Sequence, residues 1–233
     1  MPLPGLTRPL KAVQLSDLHY GPFLHEGSVN AWIEATLTEQ PDVILLTGDY
    51  ADSRSQRDLS GLLEALSPLS APLGVWAVWG NHDHIRRSHF ANLTAGFDRL
   101  GFEVLTNRSA TVRDDLQLAG IDDWKLGRPD LEAALSGLTA ERARVLLTHN
   151  PDALPEVPAD AVELALAGHT HGGQVVIPFV GAPLTSSEYG QRFLSGWVDA
   201  PVKAHVSRGL GVTALPFRVL CPPELNVWEF EPA

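Results

Sequence analysis

Five short apolar runs punctuate this chain, and each stops at a cluster of aspartate, histidine or asparagine. "KAVQLS" (11–16) leads into "SDLHYG", "DVILLTG" (42–48) into "GDYAD", and "GVWAVWG" (74–80) into "GNHDH". "RVLLTH" (144–149) opens "THNPD", and "AVELALAG" (161–168) runs into "GHTHGG". Short apolar runs bounded by turn residues are the signature of strands buried on both faces. Helical spacing separates them. Residues 28–39 set Val29, Trp32, Ile33, Thr36 and Leu37 on one face and stop at Pro41. Leu59, Leu62, Leu63 and Leu66 repeat the pattern, and 88–99 and 130–137 read as further helices. Residues 102–121 alternate in period two, like short antiparallel strands, and 203–230 offers short strands ending in "NVWEF". Alternating β and α predicts an α/β fold, with a second, partly antiparallel sheet from the middle and the C-terminus. No repeat, low-complexity stretch or linker interrupts the chain, so one domain over 1–233 is expected.

The polar clusters decide what such a fold would do. In open α/β sheets the carboxyl ends of the strands form the crevice where ligands sit. Five clusters in that position converge on one edge and bring Asp17, His19, Asp49, Asp52, Asn81, His82, Asp83, His149, His169 and His171 there. Taken singly, each has a plainer reading. Asp17 resembles a helix cap, "GDYAD" a turn, and alternate histidines in a loop often both face solvent. Five in a row make coincidence a poor account. Aspartate, histidine and asparagine are ligands of hard or borderline divalent metals, and no sulfur ligand is among them. His25, His89 and His205 fall outside the clusters and are expected at the surface or locally satisfied, while His84 is undecided.

Charge narrows the partners. With 17 Lys+Arg against 28 Asp+Glu the formal charge is −11, which disfavours stable nucleic-acid binding and a polybasic membrane patch. The apolar share of 44% and charged share of 19% are ordinary for a globular protein. A lone cysteine, Cys221, excludes an internal disulfide framework and a cysteine-rich zinc site, and reads as structural. "MPLPGLTRPLKAV" is broken by prolines, a glycine and an arginine, and no apolar run approaches the ~18 residues of a spanning helix. A cytoplasmic location is expected, with peripheral membrane contact open. Trp197, Trp228 and Phe230 are expected in the core.

The order D-x-H, G-D-x-x-D, G-N-H-D, H, G-H-x-H resembles that of the calcineurin-like metallophosphoesterases, across about residues 11–230. "SDLHYG", "AGHTHGGQ" and "SRGLG…PFR…CPPEL" look most like a bacterial branch of phosphodiesterases and enzymes cleaving a sugar-nucleotide lipid. The resemblance implies a four-layer α-β-β-α sandwich of two mixed β-sheets flanked by helices. It further implies two divalent metal ions, manganese first and iron or zinc next. One would lie on Asp17, His19, Asp49 and His171, the other on Asp49, Asn81, His149 and His169, with Asp49 bridging. Two such ions about 3.5–4 Å apart share a hydroxide for in-line attack on phosphorus. Less two carboxylates they leave about +2, a focused positive spot on an acidic protein. His82, beside Asn81 but not a ligand in the pattern, becomes the candidate general acid, with Asp52 holding its imidazole.

The implied substrate is a small phosphoester or a nucleotide-sugar lipid. Phosphoproteins are disfavoured, because the protein-phosphatase subgroup reads G-D-x-x-D-R-G where this chain has Ser53 and Arg54 after "GDYAD". Arg208 and Arg218 are candidate phosphate contacts, against the plainer reading of surface arginines. A metallo-β-lactamase arrangement needs H-x-H-x-D-H, and here Gly172, Gly173 and Gln174 follow the histidines. A non-catalytic scaffold would be expected to lose ligands or His82, and all are present. A phosphomonoesterase or nuclease is the alternative within the enzyme class.

Overall fold

Apolar residues alternate between two interiors along each central strand. In the computed structural model, which describes residues 1–233, β1 spans Leu10–Leu15, β2 Val43–Leu46, β3 Val75–Ala77 and β4 Glu103–Val104. β5 spans Arg108–Arg113, β6 Leu116–Gly120, β7 Ala143–Leu147 and β8 Leu164–Ala167. β9 (Gly196–Val198), β10 (Ala204–Val206) and β11 (Asn226–Phe230) complete the set. They form two mixed sheets, of order β11-β1-β2-β3-β4 and β5-β6-β7-β8-β10-β9. Leu10 and Ala12 of β1, Val43 and Leu45 of β2, and Leu164 and Leu166 of β8 meet in the slab between the sheets. Their neighbours Val13, Leu15, Ile44 and Leu46 turn outward, against Val29 and Ile33 of helix α1 (Glu26–Thr38), Leu62 of α2 (Ser60–Leu66) and Leu93 and Phe97 of α4 (Arg87–Leu100). Between β3 and α4 lies the short α3 (Asn81–Ile85).

The second outer layer is thinner. Ala165 and Ala167 of β8 and Leu146 of β7 pack against Ala134 of the five-residue α5 (Leu131–Leu135) and against Ala153 and Leu154 of a 3₁₀ turn. The α-β-β-α sandwich is therefore present, with one outer face built from short elements. Small alanines on that face let such short elements approach.

Several expectations shift. The middle segment is only partly antiparallel: β5 pairs antiparallel with β6, but β6 runs parallel to β7 and β4 parallel to β3. The C-terminal strand β11 joins the first sheet, antiparallel to β1 with Leu10 opposite Phe230, and not the second. Period two explains it: Trp228 and Phe230 fill the inter-sheet slab while Val227 and Glu229 face out, as an edge strand requires. Trp197 is not core. It lies 53% exposed on β9, edge-on to His205 and Trp228, with Lys203 Nζ 4.8 Å from its ring. His25 is exposed as expected, whereas His89 and His205 are buried, each with Nδ1 unpartnered. Burial lowers the pKa of both.

Candidate metal centre

The five parallel strands β1, β2, β3, β7 and β8 end on one edge, and the polar clusters begin where they stop. The backbone there is unusual. Asp17 (φ 55°), His19 (46°), Asp49 (56°), His169 (75°) and His171 (54°) all adopt left-handed conformations. For non-glycine residues this costs on the order of 1–3 kcal/mol each and persists only where surroundings over-determine it. Cross-strand bonds do so here. Asp17 N donates to Gly48 O (3.0 Å), His19 N to Asp49 O (3.0 Å), and Gly168 N to His149 O (3.0 Å). Gly80 and Gly168 are needed for close approach, since a Cβ on either would collide with the Asp49 carboxylate or with Ser16 and Asp17.

Two groups of ligand atoms result. His171 Nε2 lies 3.0 Å from His19 Nε2 and 3.4 Å from Asp17 Oδ1. His149 Nε2 lies 3.2 Å from His169 Nδ1, from Asn81 Oδ1 and from Asp49 Oδ2. Asp49 Oδ2 is also 3.4 Å from His19 Nε2, so this one oxygen is the corner common to both groups. All seven residues expected to hold metal are brought together.

The donor set fits divalent cations. His149 Nδ1–H donates to Thr47 O (2.8 Å) and His169 Nε2–H to Ser186 O (3.0 Å), which leaves bare lone pairs on the inward nitrogens. Lone pairs facing one another across 3.2 Å beside a carboxylate repel unless a proton or a metal stands among them. Titration follows from the same geometry. Burial lowers His149, but Asp49 outweighs it and the pKa rises to about 10. Burial and the charge on His149 push His169 down. In the other group His19 is raised by Asp49 against its burial, and burial carries His171 down to about 3. Each group thus pairs an imidazole that holds its proton more tightly with one that holds it less tightly, and a cation bound there would displace such a proton.

His82 lines the cavity beside these groups. Its backbone N–H donates to Asp49 Oδ1 (2.8 Å), and its ring meets His19 edge-on at 4.6 Å. The expected Asp52 contact is not formed. His82 Nδ1 faces the Ser53 backbone N–H (3.2 Å) and Ser53 Oγ (3.0 Å), which leaves Nε2 for the cavity. Asp52 is occupied elsewhere: its carboxylate accepts from Arg54 N (2.8 Å), Nε (3.0 Å) and Nη2 (2.6 Å), and lies 3.8 Å from His19 Nδ1. An aspartate that closes a turn on the residue two further on, and forks onto the same arginine, is drawn away from the next loop. Burial lowers the His82 pKa.

Asp83 is the residue whose role the sequence left unassigned. Fully buried, it accepts from Gly80 N (2.9 Å), Asp49 N (3.0 Å) and Tyr50 N (3.0 Å), tying the third cluster to the second. Burial, then the Asp49 charge, push it up to about 7. His84 settles outside the centre, with Nε2 2.7 Å from Asp122 Oδ1. That pair anchors a turn in which Asp123 Oδ2 accepts from Lys125 N (2.9 Å) and Leu126 N (2.6 Å). Lys125 is the one lysine or arginine lining the cavity of about 250 Å³, and nothing in the sequence singled it out.

The two C-terminal arginines are engaged by protein partners. Arg218 is half-buried and spends its donors on carbonyls: Gly211 O (2.6 Å), Arg208 O (2.8 Å) and His171 O (3.0 Å). It staples the loops behind His171. Arg208 pairs with Glu224, Nε to Oε2 at 2.6 Å. Cys221 is buried and donates to His171 O, a structural role as expected.

A family model, that of the calcineurin-like phosphoesterases, matches residues 10–173. The chain is 35% identical over 227 residues to the uncharacterized metallophosphoesterase YkuE of Bacillus subtilis, covering 94% of this chain and 78% of that protein. It is 32% identical over 232 residues to the phosphodiesterase YaeI of Escherichia coli, covering 95% and 82%. In fold it is similar to a dimetal phosphatase from Danio rerio, with a TM-score of 0.54 at 13% identity over 86% of this chain and 87% of that one. The clustered histidines and aspartates agree with that kinship, and the chain belongs to the calcineurin-like phosphoesterase family, a family of metal-dependent phosphoester hydrolases.

Proposed function

We propose that the protein hydrolyses phosphodiester or pyrophosphate bonds at a dinuclear centre formed by Asp17, His19, Asp49, Asn81, His149, His169 and His171. The observation supporting two ions is Asp49 Oδ2, which faces His19 Nε2 at 3.4 Å on one side and His149 Nε2 at 3.2 Å on the other. Four imidazoles with two carboxylates favour manganese, with iron or zinc compatible, over magnesium. When bound, two such ions polarise phosphoryl oxygens and supply a water acidic enough to attack phosphorus in line.

This chain's residues do the rest. Thr47 O and Ser186 O fix the tautomers of His149 and His169, so their inward nitrogens arrive as acceptors. Asp83 holds the Asp49 and Gly80 backbone, and with it the position of the shared carboxylate. His82 protonates the leaving oxygen from Nε2. The Ser53 backbone N–H, which can only donate, fixes the neutral ring with Nδ1 as acceptor and its proton on Nε2. Asp52, bound to Arg54 and near His19, supports the first group and not the acid.

A diester phosphate carries one negative charge, which suits a cavity where, beyond the proposed metal ions, Lys125 is the only lysine or arginine, whereas a monoester dianion favours a further cationic side chain. Arg54, which follows Ser53 in the turn, is already engaged by Asp52. The test is a panel of bis(p-nitrophenyl) phosphate, p-nitrophenyl phosphate, cyclic nucleotides, nucleoside diphosphate sugars, single-stranded DNA and phosphoserine peptides, with manganese and with chelator. Metal-dependent kcat/KM should be highest on a small diester or pyrophosphate. Higher values on monoesters, phosphopeptides or DNA would overturn the substrate assignment, and no turnover at full metal occupancy would point to a binding scaffold.

A further inference from the structure

Fourteen large hydrophobic side chains are exposed, and eight of them fall in two short stretches: Ile177, Phe179, Val180 and Leu184, then Leu215, Phe217, Val219 and Leu220. The two stretches are one surface. Val176 N donates to Val219 O (2.9 Å) and Val219 N to Gln174 O (2.9 Å), so the loops run side by side. Between them lies a groove of about 230 Å³ lined by Val175, Pro183, Leu184, Ala214 and Leu215. It joins the metal cavity, with which it shares His171, Ser186 and Thr213.

Charge is missing from this rim. "VVIPFVGAP" (175–183) has no ionisable residue, and "GLGVTALPFRVLCPP" (209–223) has only Arg218, which turns inward onto carbonyls, and the buried Cys221. On a chain of net charge −11 such a neutral, aliphatic and phenyl surface is matched by hydrocarbon, not by a charged partner. A second copy seated here would close the mouth that the groove shares with the metal cavity, whereas a lipid surface would deliver substrate to it.

We propose that this two-loop rim is a lipid-facing surface, and that the groove behind it takes the hydrocarbon chain of an amphiphilic phosphoester whose phosphate lies over the metal centre. The surface stands on its own; the substrate class rests on the phosphoester reading above. Phe179, 109% exposed, and Leu220, 68% exposed, would enter the lipid first.

Two measurements test it. In flotation with phosphatidylcholine vesicles, the wild-type protein should bind equally at low and high salt, because burial of hydrocarbon is not screened. Phe179→Ser and Leu220→Ser should each weaken binding roughly tenfold, as expected for withdrawing one large side chain. With a series of alkyl p-nitrophenyl phosphodiesters, kcat/KM should rise with chain length, and Leu184→Ser with Leu215→Ser should flatten the series while leaving the shortest member unaffected. A protein that ignores the vesicles and the chain length yet cleaves bis(p-nitrophenyl) phosphate would refute the rim and leave the phosphoesterase reading intact. Self-association abolished by Phe179→Ser, without vesicle binding, would assign the rim to a second copy and also refute the proposal. Vesicle binding without turnover of any ester would uphold the surface and defeat the substrate.

Discussion

Asp17, Asp49 and His149 are at most 2% exposed, while Phe179 and Leu184, on the neighbouring two-loop rim, are 109% and 78% exposed. The first region buries charge and the second exposes hydrocarbon, so each reverses the usual placement of polarity. They tolerate it differently. At the metal centre every charged group faces an opposite charge or a fixed donor, and the backbone is locked in strained conformations by bonds from neighbouring strands. At the rim the loops are tied from behind by backbone bonds and by Gln174 and Arg218, and the large apolar side chains stand exposed. The centre thus depends on the fold around it, and the rim on what lies outside.

Substitutions should separate the two regions by orders of magnitude. Asp49→Asn removes the shared corner, and the expected loss of activity is at least ~10³-fold, the upper range for one electrostatic group. Elemental analysis after dialysis should find both metal positions depleted. Two full equivalents retained would break the shared-ligand assignment.

His82→Gln leaves the ligands alone. Loss of a general acid is worth ~10²–10⁴-fold on an alkyl alcohol leaving group, and much less on p-nitrophenolate, which departs unprotonated. Equal losses on both esters, with metal content unchanged, would make His82 a positioning residue.

Metal uptake should release protons. His149, raised to about 10, must lose its proton to offer Nε2, so apparent affinity climbs with pH until that value is reached. The slope is roughly tenfold per pH unit for each proton displaced. Calorimetric titration in two buffers of different ionisation heat measures the number released, and a count of zero would contradict a protonated His149.

The smallest effect belongs to the rim. Phe179→Ser should alter unfolding free energy by no more than about 0.5 kcal/mol, the usual range for surface positions, and leave turnover of a soluble diester unchanged. A large fall in melting temperature would show that Phe179 packs inward.

Much of this was legible in the sequence because it depends on local order along the chain. Strand and polar cluster recur in "VILLTGD" and "LALAGHTH", which brings the clusters to one edge, and the family resemblance then picks the seven expected metal ligands out of them. What escaped depends on side chains choosing among neighbours in space. Asp52 and Ser53 are adjacent, and only the path of the turn decides which of them meets His82. Asp83 carried a usable sign, an acid three residues after the glycine that precedes a helix, the spacing of a capping box. Lys125 and Ser186 carried none, since loops far away in the chain bring them in. Arg218 misled because arginine on a late segment reads as surface, whereas its donors fill a gap between loops. The pairing of β11 with β1 likewise joins residues from opposite ends of the chain, beyond the reach of periodicity.

The split of the ligands between the sheets has a mechanical meaning. Asp17, His19, Asp49 and Asn81 hang from the first sheet, and His149, His169 and His171 from the second. Away from this edge the sheets are joined by the leucines, valines and tryptophans of the slab, whose contacts have no fixed direction and tolerate small displacements. On the proposed ligand set, ions gripped from both sides would form a clasp at one end of that slab. Such a clasp would close a loop of chain between His19 and His171, 152 residues apart, and so limit the disorder open to the unfolded chain in the way a disulfide does. Emptied of metal, the two halves would be free to loosen one before the other; filled, they would come apart only together.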